Sequence, residues 1–197
     1  MSVDPQEVIE RAEEARERSR LNAWVAVTVA LLATFMGICK VKDDNIVQAM
    51  QQAQADKVDY WGYYQARNTQ LKVFEQSAVQ AALLAEMSQG PAREAALAQA
   101  AAAKKEAARM SDDKNDQKAK AEAAGANYKR LNKFDDQFDL ADAGLAVAIA
   151  LLALTSLTQK NWLFVVAMVP TFFGLLMGLA GLFGWGIHPD ALARWLS

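Results

Sequence analysis

The sequence predicts an all-α integral membrane protein with three transmembrane helices and a long antiparallel, coiled-coil-like helical hairpin between the first and the second. Two observations predict it. Apolar residues segregate into three stretches, 21–39, 143–159 and 161–187, none of which contains a formal charge. A bilayer core takes about 20 apolar residues of helix to cross, so each stretch is of spanning length. The region between the first two stretches is rich in Ala, Gln, Lys, Glu and Asp and contains a single Gly-Pro pair. The near-zero mean hydropathy is an average over greasy and charged segments and describes neither.

Residues 1–20 read as a charged helix leading to the membrane. Asp4-Pro5-Gln6-Glu7 supplies an N-cap carboxylate, a proline at the first helical position and an acid three residues after the cap. Glu7 with Arg11, and Glu14 with Arg18, form i,i+4 pairs in the favourable order. The first apolar stretch, 21–39, reads as an uncleaved anchor. No small-x-small cleavage site follows it, and the bulky Ile38 before Cys39 argues against lipid attachment there. Cys39 is the one cysteine, so no intramolecular disulfide can form.

Residues 40–142 are divided by Gly90-Pro91 into arms of near-equal length. Proline disfavours helix in the residue before it and tolerates the first turn of a new one, which places the hairpin turn near 89–92. At about 1.5 Å per residue each arm would reach roughly 70 Å. On the outgoing arm Ile46, Met50, Ala53, Tyr60, Tyr64, Leu71, Phe74, Ala78, Ala81 and Ala85 alternate three- and four-residue steps, interrupted by Lys57 and Arg67. On the returning arm Leu131, Phe134, Phe138, Ala141 and Leu145 step directly into the second apolar stretch. The distal half is mostly alanine, with high helix propensity but little area to bury. Residues 111–116, Ser-Asp-Asp-Lys-Asn-Asp, are a second candidate break that would make the arms unequal.

Residues 143–159 and 161–187 form the second and third spans, and 188–197 a C-terminal interfacial segment. Basic residues fall almost equally on the two sides of the membrane, so their number does not orient the chain. The short tail with grouped Arg11, Arg16, Arg18 and Arg20 favours a cytoplasmic N-terminus and a periplasmic hairpin. Trp24 and Trp162 would then share the inner interface, and Trp185 and Trp195 the outer one.

Gly174, Gly178 and Gly181 lie on one face of the third span, and Ala143, Ala146, Ala150 and Ala153 on one face of the second. Small residues let helices approach closely, within a subunit or between subunits. Pro170 would kink the third span without implying a gate. Asp139 and Asp142 flank the start of the second span, where a solvated or capping role competes with an ion pathway through Asp142. The densest unusual cluster is Tyr60, Trp61, Tyr63, Tyr64, Gln65 and Arg67. Successive helical residues turn by about 100°, so these rings cannot all face one partner helix. With Tyr60 and Tyr64 in the seam, Trp61 and Tyr63 are left for another chain, a fold-back of the hairpin or a ligand, and rings with a polar handle are typical interface anchors.

With 21 basic and 23 acidic side chains the net charge of -2 offers no field for nucleic acid. The sequence contains no phosphate-cradling glycine loop, no dinucleotide fingerprint and no Cys/His pair at metal-ligand spacing, so no catalytic, cofactor-binding or metal residue is assigned. The sole histidine, His188, reads as structural.

The Trp61-Gly62-Tyr63-Tyr64-Gln65-Ala66-Arg67 stretch after one N-terminal span resembles the W-x-Y-Y-Q-A-K pattern of a bacterial family of membrane proteins known only as a domain of unknown function. Phe138-Asp139-Leu140-Ala141-Asp142, and the segments Leu157-Thr158 and Trp162-Leu163, are similar to that family's second and third spans. Arg67 stands where the pattern has lysine and keeps the charge. The resemblance covers nearly the whole chain and implies a three-pass inner-membrane protein with a helical insertion, without an activity. Together these readings lead to the expectation of a non-catalytic, membrane-anchored scaffold. Its partners would be membrane lipid and either copies of itself or another membrane protein. The alternative is a subunit of a small oligomeric channel or transport accessory.

Overall fold

The computed structural model describes residues 5–185, which form three helices: α1 (Pro5–Met87), α2 (Pro91–Thr158) and α3 (Asn161–Phe183). Among the described residues there is no strand. Asp4, His188, Arg194, Trp195 and the segment 188–197 lie outside them. All three helices are long and apolar enough to cross a membrane.

Two helix breaks organise the chain. The first occupies residues 88–90, where Gly90 takes a left-handed φ of 62° and its carbonyl accepts from Arg93 N at 3.1 Å and Glu94 N at 3.3 Å. Glycine adopts this conformation without the steric cost of a Cβ, and Pro91 follows at the first helical position of α2. The second lies at residues 159–160, where Gln159 has a positive φ of 56°. That conformation is unusual for a residue with a side chain. Here the Gln159 amide donates to Asn22 Oδ1 at 3.0 Å and to the Ser156 carbonyl, and Ser156 Oγ reaches the same Asn22 oxygen at 3.1 Å. Residues 111–116 do not break the helix; they run on within α2. Their turn preference comes from side chains competing for the backbone. Here Asp113 and Lys114 have partners on α1 instead: Arg67 Nε at 3.8 Å and Asn68 Oδ1 at 3.5 Å.

The chain divides into two compact units. The first comprises residues up to 48 and from 131 onward. In it Val25 and Leu32 of α1, Leu145, Ala148 and Leu152 of α2 and Ala167 of α3 form one buried cluster. Leu140, Ala141 and Met177 form a second, smaller one. Gly184, at a φ of 68°, closes α3 by donating its N–H to the Ala180 carbonyl, and Gln137 Nε2 on α2 donates to Trp185 O at 2.9 Å. On the exposed N-terminal stretch Glu14 pairs with Arg18 at 3.3 Å.

The second unit comprises residues 49–130. Its buried apolar residues are Met50, Ala53, Leu71, Ala78, Ala81 and Ala85 on α1 and Ala96, Ala100, Ala103, Ala107, Met110 and Ala121 on α2. Leu71 packs with Ala107, Met110 and Phe74. Lys57 and Arg67, which interrupt the apolar stepping of the sequence, belong to this contact face. The Lys57 stem lies where a Cβ on Gly125 would meet it at 3.6 Å, and Arg67 Nη1 reaches Met110 Sδ at 3.8 Å. Long cationic side chains cover apolar surface with their methylenes while the charge stays at the edge.

Candidate functional site

In the first unit α1 continues its buried stepping past the apolar stretch: Val25, Leu32, Cys39, Asp43, Ile46. Asp43 therefore occupies a core-facing position and is buried, with 6% of its side chain exposed. Its Oδ2 accepts from Lys40 Nζ at 2.9 Å, and Lys40 also approaches Asp44 Oδ1 at 3.5 Å. The Asp43 hydrogen bond, followed by its charge, holds the Lys40 ammonium above the usual lysine range. Asp43 Oδ1 is buried without a hydrogen-bond partner.

On α2 Asp135, Asp139 and Asp142 recur at i, i+4 and i+7, which places them on one helical face. Asp43, Lys40, Asp139 and Asp142 line a cavity of about 20 Å³ walled by Met36 and Phe138. Burial, then the charges of Asp139 and Asp43, raise the Asp135 carboxyl to about 6. Burial and the Asp43 charge likewise raise Asp139, with Lys40 opposing. Asp136 accepts from Asn132 Nδ2 at 3.2 Å. Among the described residues no three His, Cys, Asp or Glu side chains converge as a metal ion's ligands would.

In the second unit the aromatic segment is divided between two faces. Tyr60 and Tyr64 are half-buried, and Tyr60 contributes to raising Lys120, whose main cause is its hydrogen bond with Asp116. Trp61 is half-buried and sets its ring edge-on to Tyr64, centroids 5.3 Å apart at 84°. Tyr63 is 59% exposed, and Gln65 is exposed. Arg67 is engaged inside the unit: beyond Met110 and Asp113 it donates to Gln70 Oε1 at 2.8 Å. A groove of about 410 Å³ lies farther along the same unit, between Val79, Leu83 and Lys104.

A family model described as a domain of unknown function, DUF4337, matches residues 21–184. The chain belongs to this family. No curated protein and no solved structure matches it. The DUF4337 match takes in both the aspartate cavity and the aromatic segment.

Within this DUF4337 chain the packing residues separate. Gly174, Gly178 and Gly181 are buried, but against two different helices. A Cβ on Gly174 would lie 2.9 Å from Leu145 N of α2, and one on Gly181 would lie 2.7 Å from Phe138 Cζ. One on Gly178 would lie 2.6 Å from Phe35 Cε1 of α1. The alanine face of α2 does not supply the opposing surface within the chain, since Ala143, Ala146, Ala150 and Ala153 are all exposed. Gly144 does: its Cβ would meet Gly174 Cα at 3.1 Å. The sequence reading passed over Gly144, which meets Gly174, and Asp43, which lines the aspartate cavity. Asp142 is exposed at the rim of the aspartate cavity.

Proposed function

We propose that the chain is a three-pass protein of the bacterial inner membrane that serves as a membrane-anchored, self-associating scaffold. Its central region is a coiled-coil-like hairpin in the periplasm, and its N-terminus is cytoplasmic. The observation that carries this reading is Tyr63, an aromatic ring left on the surface of the second unit beside the Trp61–Tyr64 pair. Large exposed aromatics anchor interfaces because they bury much area for little lost rotamer freedom. The exposed Ala146 and Ala150 face offers a second surface of the kind that membrane helices use to approach one another. Arg67 is occupied by Gln70, Met110 and Asp113, so in this reading it braces the aromatic segment rather than meeting the second copy.

Mass measurement in mild detergent and in nanodiscs, with a photo-crosslinker at position 63, tests the proposal. A dimer or larger species crosslinked chain to chain is expected. A monodisperse monomer with no crosslink refutes it. The second reading, a subunit of a small channel or transport accessory, is supported by Asp142 at the cavity rim. Ion flux in liposomes that changes with Asp142→Asn would favour it, and unchanged conductance would count against it.

A further inference from the structure

We infer that the groove between Val79, Leu83 and Lys104 seats a second copy of this chain, docked side by side with its helices running the same way. The inference rests on the self-association proposed above and names a different surface for it. Val79 and Leu83, a turn apart on α1, are 60% and 55% exposed along a groove of about 410 Å³ that the buried Ala78 and Ala107 also line. Apolar side chains gathered in this way on a surface mark a contact, because covering them removes apolar area from water. Tyr63 does not share the face. It lies sixteen residues before Val79, about 160° around the helix at about 100° per residue.

Charge selects the occupant. Glu75 and Glu86 of α1 and Lys104 of α2 line the groove, and among the described residues none of these side chains makes a hydrogen bond or an ion pair. Glu75 and Lys104 also lie at one level of the unit. Lys114 reaches Asn68, and Leu71 packs with Ala107 and Met110, so α1 and α2 run antiparallel and positions 75 and 104 fall within about one helical turn of each other. Two copies running the same way are related by a two-fold axis along the helices, which lays α1 of each over α2 of the other. Glu75 then meets the partner subunit's Lys104, twice by symmetry, while Val79 and Leu83 are covered. Copies anchored in one bilayer share the polarity that this pairing needs. A lipid chain could cover the same apolar side chains, but it would leave Glu75 and Lys104 unmatched.

Two differently tagged full-length chains, coexpressed with a photo-crosslinker at position 83 of one, test the inference in native membranes. A chain-to-chain product is expected. It should fall several-fold when both chains carry Glu75→Lys, or both Lys104→Glu, since like charges then face each other twice. It should return when one chain carries Glu75→Lys and the other Lys104→Glu. Within each of these chains positions 75 and 104 have the same sign, so an ion pair inside one chain cannot produce the rescue. A product from position 63 with none from position 83 overturns the inference and leaves the self-association reading standing; no product from either overturns both. A position-83 product with lipid or another protein alone overturns it. So does a chain-to-chain product indifferent to the charge changes, or one lost without rescue in the mixed pair.

Discussion

Replacing Gly174 with alanine adds one methyl at a place where the backbone of α2 is in the way. The new Cβ would sit 2.9 Å from Leu145 N and 2.8 Å from Leu145 Cγ. A side chain could swing aside, but the Leu145 nitrogen cannot, so α2 and α3 must separate by most of an ångström to restore contact. Overpacking of this kind costs about 1–3 kcal/mol. Against it, alanine in a helix gains about 0.8–1.0 kcal/mol over glycine. The backbone contact places Gly174→Ala in the upper part of the overpacking range, for a net loss of about 1–2 kcal/mol. At roughly 2–4 °C per kcal/mol for a chain of this size, the melting temperature falls by about 2–8 °C. Gly62→Ala is the matched control: it is exposed, its Cβ would meet nothing within 4 Å, and only the propensity gain applies. Thermal melts of both variants in the same detergent should therefore move in opposite directions, Gly62→Ala upward by about 2–4 °C. A Gly174→Ala protein as stable as Gly62→Ala would refute the close approach of α2 and α3.

Four further outcomes follow from the same geometry. Gly90→Ala forces a side chain into left-handed backbone with open space around it, so the loss of about 1–2 kcal/mol is purely conformational, and the melting temperature should fall less in Gly90→Asn. Asn22→Ala removes the acceptor shared by Ser156 and Gln159 and should cost about 1 kcal/mol, measured by the same melt. Arg67→Lys keeps the charge but loses the fork that reaches Gln70 and Asp113 together, so proteolysis within residues 49–130 should quicken modestly, and more in Arg67→Ala. Stability should also depend on pH through Asp135. Its folded pKa of about 6 exceeds the ordinary 3.8, so the folded state holds this proton more tightly than the unfolded chain. That contribution is complete below about pH 4 and is lost as pH rises through about 6, so melts should weaken across this window and flatten in Asp135→Asn.

The all-helical class and the three spanning-length helices were legible because both rest on composition that no tertiary contact can overturn. The helix break at residues 88–90 was legible for a similar reason: only one Gly-Pro pair occurs between the first two apolar stretches. The pairing of α2 with α3 was not. In a wholly apolar helix the stripe Ala143, Ala146, Ala150, Ala153 and the stripe Leu145, Ala148, Leu152, Thr155 have equally good helical spacing, and no contrast in polarity says which turns inward. The second stripe is buried completely and the first is exposed. Within the chain the inward side of α2 is therefore the second stripe, and the glycines of α3 lie buried against α1 and α2. The aromatic segment was half legible. A helical turn of about 100° required some rings to face outward, but that Trp61 would fold onto Tyr64 and leave Tyr63 alone depends on side-chain rotamers.

Asp43 carries the sharper lesson. Beside Lys40, Lys42 and Asp44 it reads as one more solvated charge after a membrane anchor. Yet the stepping identified on the outgoing arm from Ile46 and Met50, extended back by one step, falls on Asp43, and by the next on Cys39. The periodicity that marks residues as core does not stop where the side chain becomes charged; a carboxylate at a seam position is either misplaced or matched by something on the facing helix. On α2 the stepping through Leu131, Phe134, Phe138 and Ala141 is interleaved with Asp135, Asp139 and Asp142, so the acids and the apolar contacts arrive side by side. The acid at this seam position is matched in part by Lys40 of its own helix at 2.9 Å, and it faces Asp139 and Asp142 across the cavity.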